Sequence, residues 1–254
     1  MKKGNYLLLC LLMSTFITGN VFAQGSIITD RPDMTEASYL VPVGWLQIET
    51  GAFIDNANAN EYEFIYNTTL IRYGISESIE LRLLQDYKGY YLNDTEVAKG
   101  LSPFGFGAKI AIAKENGWIP ETAIIGHLFM KTGEKAFRAQ SINPQFRFTF
   151  ANSLPNEFAL SYNIGAEWDG TSTDATAIYT LSLARTLFST IGGYVEVYGY
   201  LPENTAADHR FNFGFTYLLG NDLQFDISSG IGLSEISNDN FVSVGVSWRF
   251  NTRK

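Results

Sequence analysis

Phe241-Val242-Ser243-Val244-Gly245-Val246-Ser247-Trp248-Arg249-Phe250, a stretch close to the end of the chain, alternates strictly in character. One parity is apolar and the other is polar or small; the two sets are Val242, Val244, Val246, Trp248 and Phe250, and Ser243, Gly245, Ser247 and Arg249. Neighbouring side chains of a strand point to opposite faces of its sheet. The stretch therefore predicts a β-strand with one apolar and one polar face.

The same alternation recurs along most of the chain and predicts about twelve strands. Their approximate ranges are 44–54, 62–73, 78–87, 104–114, 121–131, 143–152, 157–168, 175–186, 192–201, 209–219, 222–234 and 241–250. Because the last strand would close on the first, we predict an all-β fold, a single antiparallel transmembrane β-barrel over residues 43–250. A secreted sandwich or a soluble barrel is the alternative.

The connections and the aromatic residues favour the membrane barrel. Tight turns are predicted at 74–77, 153–156 and 220–222, and longer loops at 86–103, 131–142, 169–174, 202–208 and 235–240. Short turns at one end and long loops at the other are typical of outer-membrane barrels. Aromatic residues at strand ends predict a membrane-interface girdle; its candidates are Trp45, Trp118, Trp168, Trp248 and Phe250.

Residues 1–23 have the pattern of an export signal. Lys2 and Lys3 precede a short apolar core, and Val21-Phe22-Ala23 supplies a cleavage site. The core is shorter than the ~20 residues that a spanning helix needs. Leu9 before Cys10 disfavours a lipoprotein site, and cleavage would leave the mature chain without cysteine. The mature protein would then be held together by backbone pairing and packing, without disulfides.

The charge balance excludes one class of partner. The formal net charge is −8, and loss of Lys2 and Lys3 with the signal makes it more negative. A strongly acidic chain is not suited to nucleic acid or to polybasic attachment to anionic lipid. The expected partners are outer-membrane lipid and a small-molecule solute, in the bacterial outer membrane.

Residues 24–42 do not alternate and precede the first strand. We predict a periplasmic segment that enters the barrel like a plug, with Asp30, Arg31 and Asp33 as its candidate polar contacts and Arg31 paired to carboxylates of the lumen. A solvated N-terminal tail is the alternative. Residues 251–254 form a short C-terminal tail.

The inward parity of the strands collects charges of both signs. The lumen or constriction candidates are Glu49, Arg72, Glu80, Arg82, Lys109, Arg147, Glu167, Glu196, Asp226 and Arg249. Glu49, Arg72, Glu80 and Arg82 lie on the first three strands and are expected to form one network that Arg31 could join. The second strand needs a bulge or a shifted register, because an inward Arg72 places Asn67 on the outer face.

Several stretches also resemble a known family. Thr29-Asp30-Arg31-Pro32-Asp33, residues 44–51, Leu70-Ile71-Arg72-Tyr73-Gly74 and residues 213–219 and 244–250 are similar to the outer-membrane family named for a MetA pathway of phenol degradation. The resemblance implies a barrel and the passage of small compounds, without establishing the solute. The last strand is also similar to the signal read by the barrel-assembly machinery, although residues 251–254 follow its final aromatic residue.

The sequence offers little for catalysis or for metal binding. The mature chain has two histidines, His127 and His209, and no Gly-x-Ser-x-Gly motif. No spacing matches a calcium loop, and no glycine-rich phosphate loop opens a helix. We therefore predict no catalytic residue, no metal and no cofactor. The expected function is a channel or transporter with a narrow charged lumen, and the alternative is a structural or surface-interaction barrel with a closed lumen.

Overall fold

The structure is a computed structural model that describes residues 25–253. The predicted signal peptide, with Cys10 and its cleavage site, lies outside the described residues, as do Gln24 and Lys254. Within the described part, fourteen β-segments follow one another with two single-turn 3₁₀ helices, at Lys135–Phe137 and Pro155–Glu157.

The strand bounds follow the alternation read from the sequence. They are β1 Trp45–Asn58, β2 Glu61–Ser76, β3 Ile79–Leu84, β4 Tyr87–Leu92, β5 Thr95–Leu101, β6 Gly105–Ala113, β7 Glu121–Phe129, β8 Asn143–Leu154, β9 Phe158–Glu167, β10 Thr176–Phe188, β11 Ile191–Pro202, β12 Asp208–Leu219, β13 Leu223–Gly232 and β14 Asn240–Asn251.

The strands form one closed antiparallel barrel. β1 pairs with β2 on one side and with β14 on the other, so the sheet has no free edge along most of its height. β3 and β4 lie end to end and together occupy one strand position of the barrel, beside β2. β6 and β5 lie end to end in the next position, so the fourteen segments form a 12-strand barrel. The predicted fold class is confirmed. Closure satisfies the backbone donors and acceptors internally, as a sheet that crosses lipid requires.

The segment 86–103 differs from the prediction made from the sequence. A loop was expected there, but most of it forms the hairpin β4–β5, which prolongs the wall beyond β3 and β6. Its turn residues Asn93 and Asp94 have φ of 49° and 58°. Two central residues with positive φ suit a two-residue hairpin turn, and Asn and Asp are residues that tolerate that backbone.

Both ends of the barrel therefore mix short and longer connections. At the end that carries the termini, here called the periplasmic end, the connections are 77–78, 114–120, 155–157, 189–190 and 220–222. At the opposite, extracellular end they are 59–60, 93–94, 130–142, 168–175, 203–207 and 233–239. The longest connection, 130–142, lies at the extracellular end as the sequence analysis expected.

The second strand contains the irregularity that the sequence analysis left open. The pairing of β1 with β2 shifts register between Gly51 and Phe53, and the pairing of β2 with β4 shifts between Ile65 and Asn67. The bulge keeps Arg72 facing inward. Asn67 stays exposed on the outer face, where its side chain hydrogen-bonds to the hydroxyls of Thr50 and Thr69.

The outer face of the barrel is apolar and exposed. Its members include Leu81, Leu83, Ile164, Leu181, Val195, Phe213, Phe215, Ile227, Val242 and Val244. A ring of exposed apolar side chains around a closed sheet is the arrangement that hydrocarbon solvates, and it identifies the transmembrane surface.

Within residues 25–253, no helix has the length and apolarity needed to cross a membrane.

The girdle candidates divide by parity. Trp248 is 50% exposed on the outer face, and its ring lies 4.6 Å from that of Phe250. Trp168 packs 6.4 Å from Phe146, at the extracellular end of β9, while Trp118 is fully exposed in the 114–120 turn. The prediction for Trp45 is wrong, because this residue does not face the membrane. The guanidinium of Arg249 lies 5.3 Å from the Trp45 ring, which places the ring at the inner rim of the periplasmic mouth.

Candidate functional site

The lumen is occupied by the chain's own N-terminal segment, residues 25–42, here called the plug. Its two legs are fixed at the periplasmic end: the Ile27 amide donates to the Asn221 carbonyl at 2.8 Å, and the Val41 amide donates to Glu80 Oε2 at 2.8 Å. Between the legs, residues 30–36 contact strands on opposite sides of the barrel. The plug is therefore a loop that enters from the periplasmic end, crosses the lumen and returns to β1.

One side of the lumen, here called the ionic wall, carries a buried charge network. It consists of Gln47, Glu49, Arg72, Glu80, Arg82 and Lys109 on β1, β2, β3 and β6, all at most 1% exposed. The guanidinium of Arg72 binds Glu80 through two nitrogens at 2.8 and 2.9 Å and Glu49 at 2.8 Å. Buried charges need such pairing and hydrogen bonding, because an unpaired one costs several kcal/mol.

Asp30 of the plug is the point at which the ionic wall holds the segment. Its carboxylate lies 2.8 Å from Arg82, 3.2 Å from Lys109 and 3.6 Å from Arg72. Burial alone would raise the pKa of Asp30, but the charges of Arg72, Lys109 and Arg82 hold that pKa well below its usual range. Asp30 is therefore an anion across the neutral pH range, and it is matched by three cations.

The ionic wall also binds the plug backbone on both legs. Glu49 Oε2 accepts from the amides of Asp30 and Arg31 at 2.9 and 3.1 Å. Lys109 Nζ donates to the Ala37 carbonyl at 2.6 Å, and Arg72 Nη2 donates to the Tyr39 carbonyl at 3.0 Å. The irregular backbone of the plug thus finds its hydrogen-bond partners in side chains of the wall, which is how a buried loop avoids unpaired polar groups.

Arg31 reaches away from the ionic wall to a seat on β1, β2, β13 and β14. Its Nη2 lies 2.9 Å from Asp226 Oδ1 and donates to Ser243 Oγ at 2.9 Å. The seat has no side chains at its base because it is formed by the paired residues Gly51 and Gly245. A Cβ on Gly245 would lie 2.3 Å from Arg31 Nε, so glycine is required there for the close approach of the guanidinium.

The opposite side of the lumen, here called the hydroxyl wall, holds the far end of the plug. It consists of Thr180, Ser182, Tyr194, Glu196, Asn212 and Ser228 on β10 to β13, all buried. Glu196 is its charged member and accepts from the Met34 amide at 2.9 Å and from the Thr35 hydroxyl at 2.5 Å. Attachment here uses one carboxylate with neutral donors, so no cation of the plug is engaged on this side.

Glu36 connects the two sides. Its carboxylate lies 2.9 Å from Arg82 and 3.5 Å from Arg147, while its amide donates to Asn163 Oδ1 at 2.7 Å. Asn163 returns the contact by donating to the Glu36 carbonyl at 3.0 Å. The plug therefore spans the full width of the lumen.

The hydroxyl wall contains polar atoms that the plug leaves without partners. Within residues 25–253, Asn212 Oδ1 is buried and makes no hydrogen bond, and the buried Tyr194 hydroxyl and Ser228 Oγ have no partner beyond each other. The three residues lie on the adjacent strands β11, β12 and β13, where Tyr194 and Ser228 both pair with Gly214. Buried groups of this kind are rare and call for an explanation.

Two cavities flank the plug. A cavity of about 400 Å³ opens on the periplasmic side, against Ala184, Gly192 and Tyr194. A cavity of about 580 Å³ lies on the extracellular side, against Phe53, Tyr198 and Arg210. Residues Arg31, Pro32 and Asp33 line both, so this short piece of the plug separates them.

The sequence-predicted lumen residues fall into distinct groups. Glu49, Arg72, Glu80, Arg82 and Lys109 meet in the ionic wall, and Arg31 touches that network through its amide only. The remaining candidates lie elsewhere in the lumen: Arg147, Glu167, Glu196, Asp226 and Arg249. Arg249 binds Asp222 at 2.8 Å and the Gly25 carbonyl at the periplasmic mouth.

Several contributing residues escaped the sequence analysis. Glu36 lies in the irregular segment, where no periodicity assigns it a direction. His127 is 4% exposed and receives a hydrogen bond from Arg82 Nε at 2.9 Å. Arg210 binds Asp55 at 3.1 Å and Asp208 at 2.8 Å. The parity of the strand 209–219 would have placed Arg210 and Asn212 inward together.

Within the described residues, no group of three or more His, Cys, Asp or Glu side chains is arranged to hold a metal ion. The predictions of no cofactor and no catalytic residue stay predictions. The chemistry that the lumen displays is that of ion pairs and hydrogen bonds around a narrow passage.

Solved structures of outer-membrane barrels resemble this one. An outer membrane channel from Pseudomonas putida F1 has a TM-score of 0.65 at 11% identity, covering 83% of this chain and 97% of that one. The NanC porin has a TM-score of 0.51 at 12% identity, with coverage of 80% and 98%. The translocator domain of the autotransporter NalP from Neisseria meningitidis reaches 0.50 at 12% identity, with coverage of 83% and 90%. At such identities the similarity concerns the fold.

No curated protein sequence matches the chain. A family profile does match, over residues 29–250, which includes both the plug and the barrel, and the resemblance noted in the sequence is thereby confirmed. The chain belongs to the family described as "Putative MetA-pathway of phenol degradation".

Proposed function

We propose that this protein is an outer-membrane channel for small solutes whose lumen is closed by its own plug. The observation that carries the proposal is the pair of cavities, one on each side of the barrel, that Arg31, Pro32 and Asp33 separate. Displacement of this short piece would join them into one passage. The exposed apolar outer face and the similarity of the fold to outer-membrane channels support the location and the class of function.

The constriction is formed by the plug against the lumen charges. Arg31 is held by Asp226, and Asp30 by the ionic wall, so the closed state depends on ion pairs inside the barrel. A 12-strand barrel is wider than the ~8-strand barrels that side chains fill. An internal segment is therefore needed to close it, and its removal would leave a water-filled pore.

Arg31→Ala tests the proposal. Loss of the pair with Asp226, a charge-assisted hydrogen bond of about 1.5–3 kcal/mol, should raise the open probability in planar bilayers roughly tenfold or more. Arg138→Ala is the matched control, because Arg138 is exposed in the 130–142 loop, where it donates to the Gly133 carbonyl, and lines neither cavity. If wild type, Arg31→Ala and the control all show no conductance, the proposal is wrong.

The density of the ionic wall favours one alternative, a barrel whose lumen is permanently closed and serves structure or surface interaction. Liposome swelling in arabinose separates the two functions. A channel admits the sugar into proteoliposomes, faster for Arg31→Ala than for wild type, whereas a closed barrel admits none in either form.

We also propose that β14 is read by the barrel-assembly machinery. The strand ends on the outward aromatic pair Trp248 and Phe250 and joins β13 to β1, which makes it the closing strand. Phe250→Ala should lower the folded fraction in an assay with reconstituted machinery while leaving detergent refolding unchanged. An equal loss in both assays would indicate a packing role instead.

A further inference from the structure

We propose that the passage selects small organic cations that carry an aromatic ring over anions of similar size. The inference rests on the proposed channel function and adds the class of solute to it. It names Asp33 of the plug and Glu167 of β9 as the selecting carboxylates. Three features of the two cavities support it: their charge, their aromatic surface and their unpartnered hydrogen-bond acceptors.

The extracellular cavity has an excess of negative charge. Its acidic lining residues are Asp33, Asp55, Glu63, Glu167 and Asp208, and its basic lining residues are Arg31 and Arg210. Both arginines are already neutralised: Arg31 by Asp226 at 2.9 Å, and Arg210 by Asp55 and Asp208 at 3.1 and 2.8 Å. No cation is left over to attract an anionic solute among the residues that line this cavity.

Asp33 and Glu167 differ from the other acids of the cavity. Glu63 is paired with Lys88 at 2.6 Å, but Asp33 and Glu167 form no ion pair with any residue between 25 and 253. Arg147, the nearby cation on β8, makes its pair with Glu36 and donates to the Met34 carbonyl at 3.3 Å. Two carboxyl groups therefore face the passage without a cation within 4 Å. Burial and the charge of Glu196 raise the pKa of Asp33 well above its usual range, so Asp33 becomes an anion when a cation lies beside it and lowers that pKa.

Aromatic rings supply a second kind of surface in the same cavity. Phe53 and Phe241 stack with ring centroids 5.0 Å apart, and Tyr198 and Tyr200 meet edge to face at 6.1 Å. All four line the extracellular cavity. Aromatic faces attract cations and also stack with planar ligands. An aryl ammonium or aryl guanidinium would use both properties, while an aryl carboxylate or sulfonate would use only the second.

The Tyr194 hydroxyl is the independent observation that points to a ligand. Tyr194 is 7% exposed, lines the periplasmic cavity together with Asp33, and its hydroxyl has no hydrogen-bond partner among the described residues beyond the neighbouring Ser228 hydroxyl. An N–H group bound at Asp33 could donate to this oxygen as it passes. Asn212 Oδ1, an unpartnered acceptor on the next strand, extends the same preference for donors along the hydroxyl wall.

The test compares two charged probes that share a benzene ring. Proteoliposomes are loaded with phenylguanidinium, benzenesulfonate or the neutral sugar arabinose, and the release rate of each is measured at pH 7. For wild type we expect release of phenylguanidinium at least fivefold faster than that of benzenesulfonate. Glu167→Gln should lower this ratio about threefold, because it removes an unpaired charge from a confined passage, and Asp33→Asn should lower it less, because Asp33 is an anion only beside a cation. Glu203→Gln is the matched control, since Glu203 lies in the extracellular loop 203–207 and lines neither cavity.

The outcomes separate the inference from the function on which it rests. Arabinose release with a cation-to-anion ratio of one or less, or with a ratio that Glu167→Gln leaves unchanged, overturns the selectivity and leaves the channel standing. Failure of all three probes to leave the liposomes, with Arg31→Ala as with wild type, overturns the channel and the selectivity together. Because the side chains of Asp33 and Glu167 make no ion pair in the folded protein, their amide variants are expected to fold, which heat-modifiable migration on gels verifies.

Discussion

The ionic wall and the hydroxyl wall hold the same plug by different physics. On the ionic wall, Asp30 meets three cations and the plug backbone meets Glu49, Arg72 and Lys109. On the hydroxyl wall, one carboxylate, Glu196, accepts neutral donors, and several neighbouring polar atoms have no partner. We therefore expect the plug to stay attached to the ionic wall and to part first from the hydroxyl wall, where fewer charges hold it.

The unpartnered atoms of the hydroxyl wall support the same direction of movement. A buried hydroxyl or amide oxygen without a partner is unfavourable by about 1–3 kcal/mol. When the plug leaves this wall, water reaches Tyr194, Asn212 and Ser228 and satisfies them. Opening on this side thus recovers hydration energy that opening on the ionic side would not.

The largest effect is expected from breaking the ionic wall. Arg72→Met would leave Glu49, Glu80 and Asp30 without their shared cation, a loss of about 3–5 kcal/mol for a buried network. The temperature at which the folded band disappears on gels should fall clearly, and the plug should be released at its fixed side. Arg138→Met, at an exposed arginine of the 130–142 loop, serves as the control for the loss of one arginine. An unchanged melting temperature would show that the network contributes no net stability and that the comparison of the two walls is wrong.

The next effect concerns the Arg31 seat between the walls. Gly245→Ala places a Cβ about where the Arg31 guanidinium lies, and because that side chain is flexible, the guanidinium should move and lose Asp226. We expect a several-fold higher open probability in planar bilayers with little change in the barrel. Gly126→Ala is the matched control, since a Cβ there meets nothing within 4 Å. An equal open probability for the two alanine variants would show that the Arg31 seat does not hold the channel closed.

A smaller change is expected from weakening the hydroxyl wall. Thr35→Val keeps the shape of the residue and removes its hydrogen bonds with Glu196 at 2.5 Å and Thr180 at 2.8 Å. The cost to the closed state should be about 1 kcal/mol, or roughly a fivefold rise in open probability. Thr190→Val, in the 189–190 turn, is the control. A loss as large as that of Arg72→Met would mean that the two walls hold the plug equally.

The smallest effect belongs to Tyr194→Phe. The hydroxyl that is removed has no hydrogen-bond partner in the described residues beyond Ser228 Oγ, so the melting temperature of the closed form should change little. Tyr179→Phe is the contrasting variant, because the Tyr179 hydroxyl is bonded to His209 Nδ1 at 2.8 Å. A marked destabilisation by Tyr194→Phe would show that the hydroxyl contributes to stability in the closed form. It would count against the expectation that the plug parts first from the hydroxyl wall.

Period-two alternation was enough to predict the barrel and the direction of most lumen side chains, because each strand reports its own two faces. The prediction failed at 86–103, where Gly89, Gly100 and scattered charges interrupt the alternation, and the register of the hairpin shifts between Tyr90 and Tyr91 because Val97 is left unpaired. It also failed at Trp45, because an aromatic residue at a strand end was assigned to the lipid face without regard to parity.

The contacts of the plug could not be read from the sequence. Arg31 and Asp226 are 195 positions apart, and the segment 25–42 has no periodicity that would assign directions to its side chains. Which carboxylate an arginine meets inside a closed barrel depends on register and on the path of the loop. The sequence indicated only that this segment enters the lumen, because it is irregular, precedes the first strand and contains Asp30, Arg31 and Asp33.

The seat of Arg31 brings together opposite ends of the polypeptide: Gly51 belongs to the first strand, while Asp226, Ser243 and Gly245 belong to the last two. Gly51 becomes a neighbour of the other three only after β1 has paired with β14. Before the seam closes, the β13–β14 hairpin offers only Asp226 and Ser243, so the complete seat exists only in the closed barrel. Sealing must come after assembly, so a newly inserted molecule passes through an unsealed stage before it first shuts.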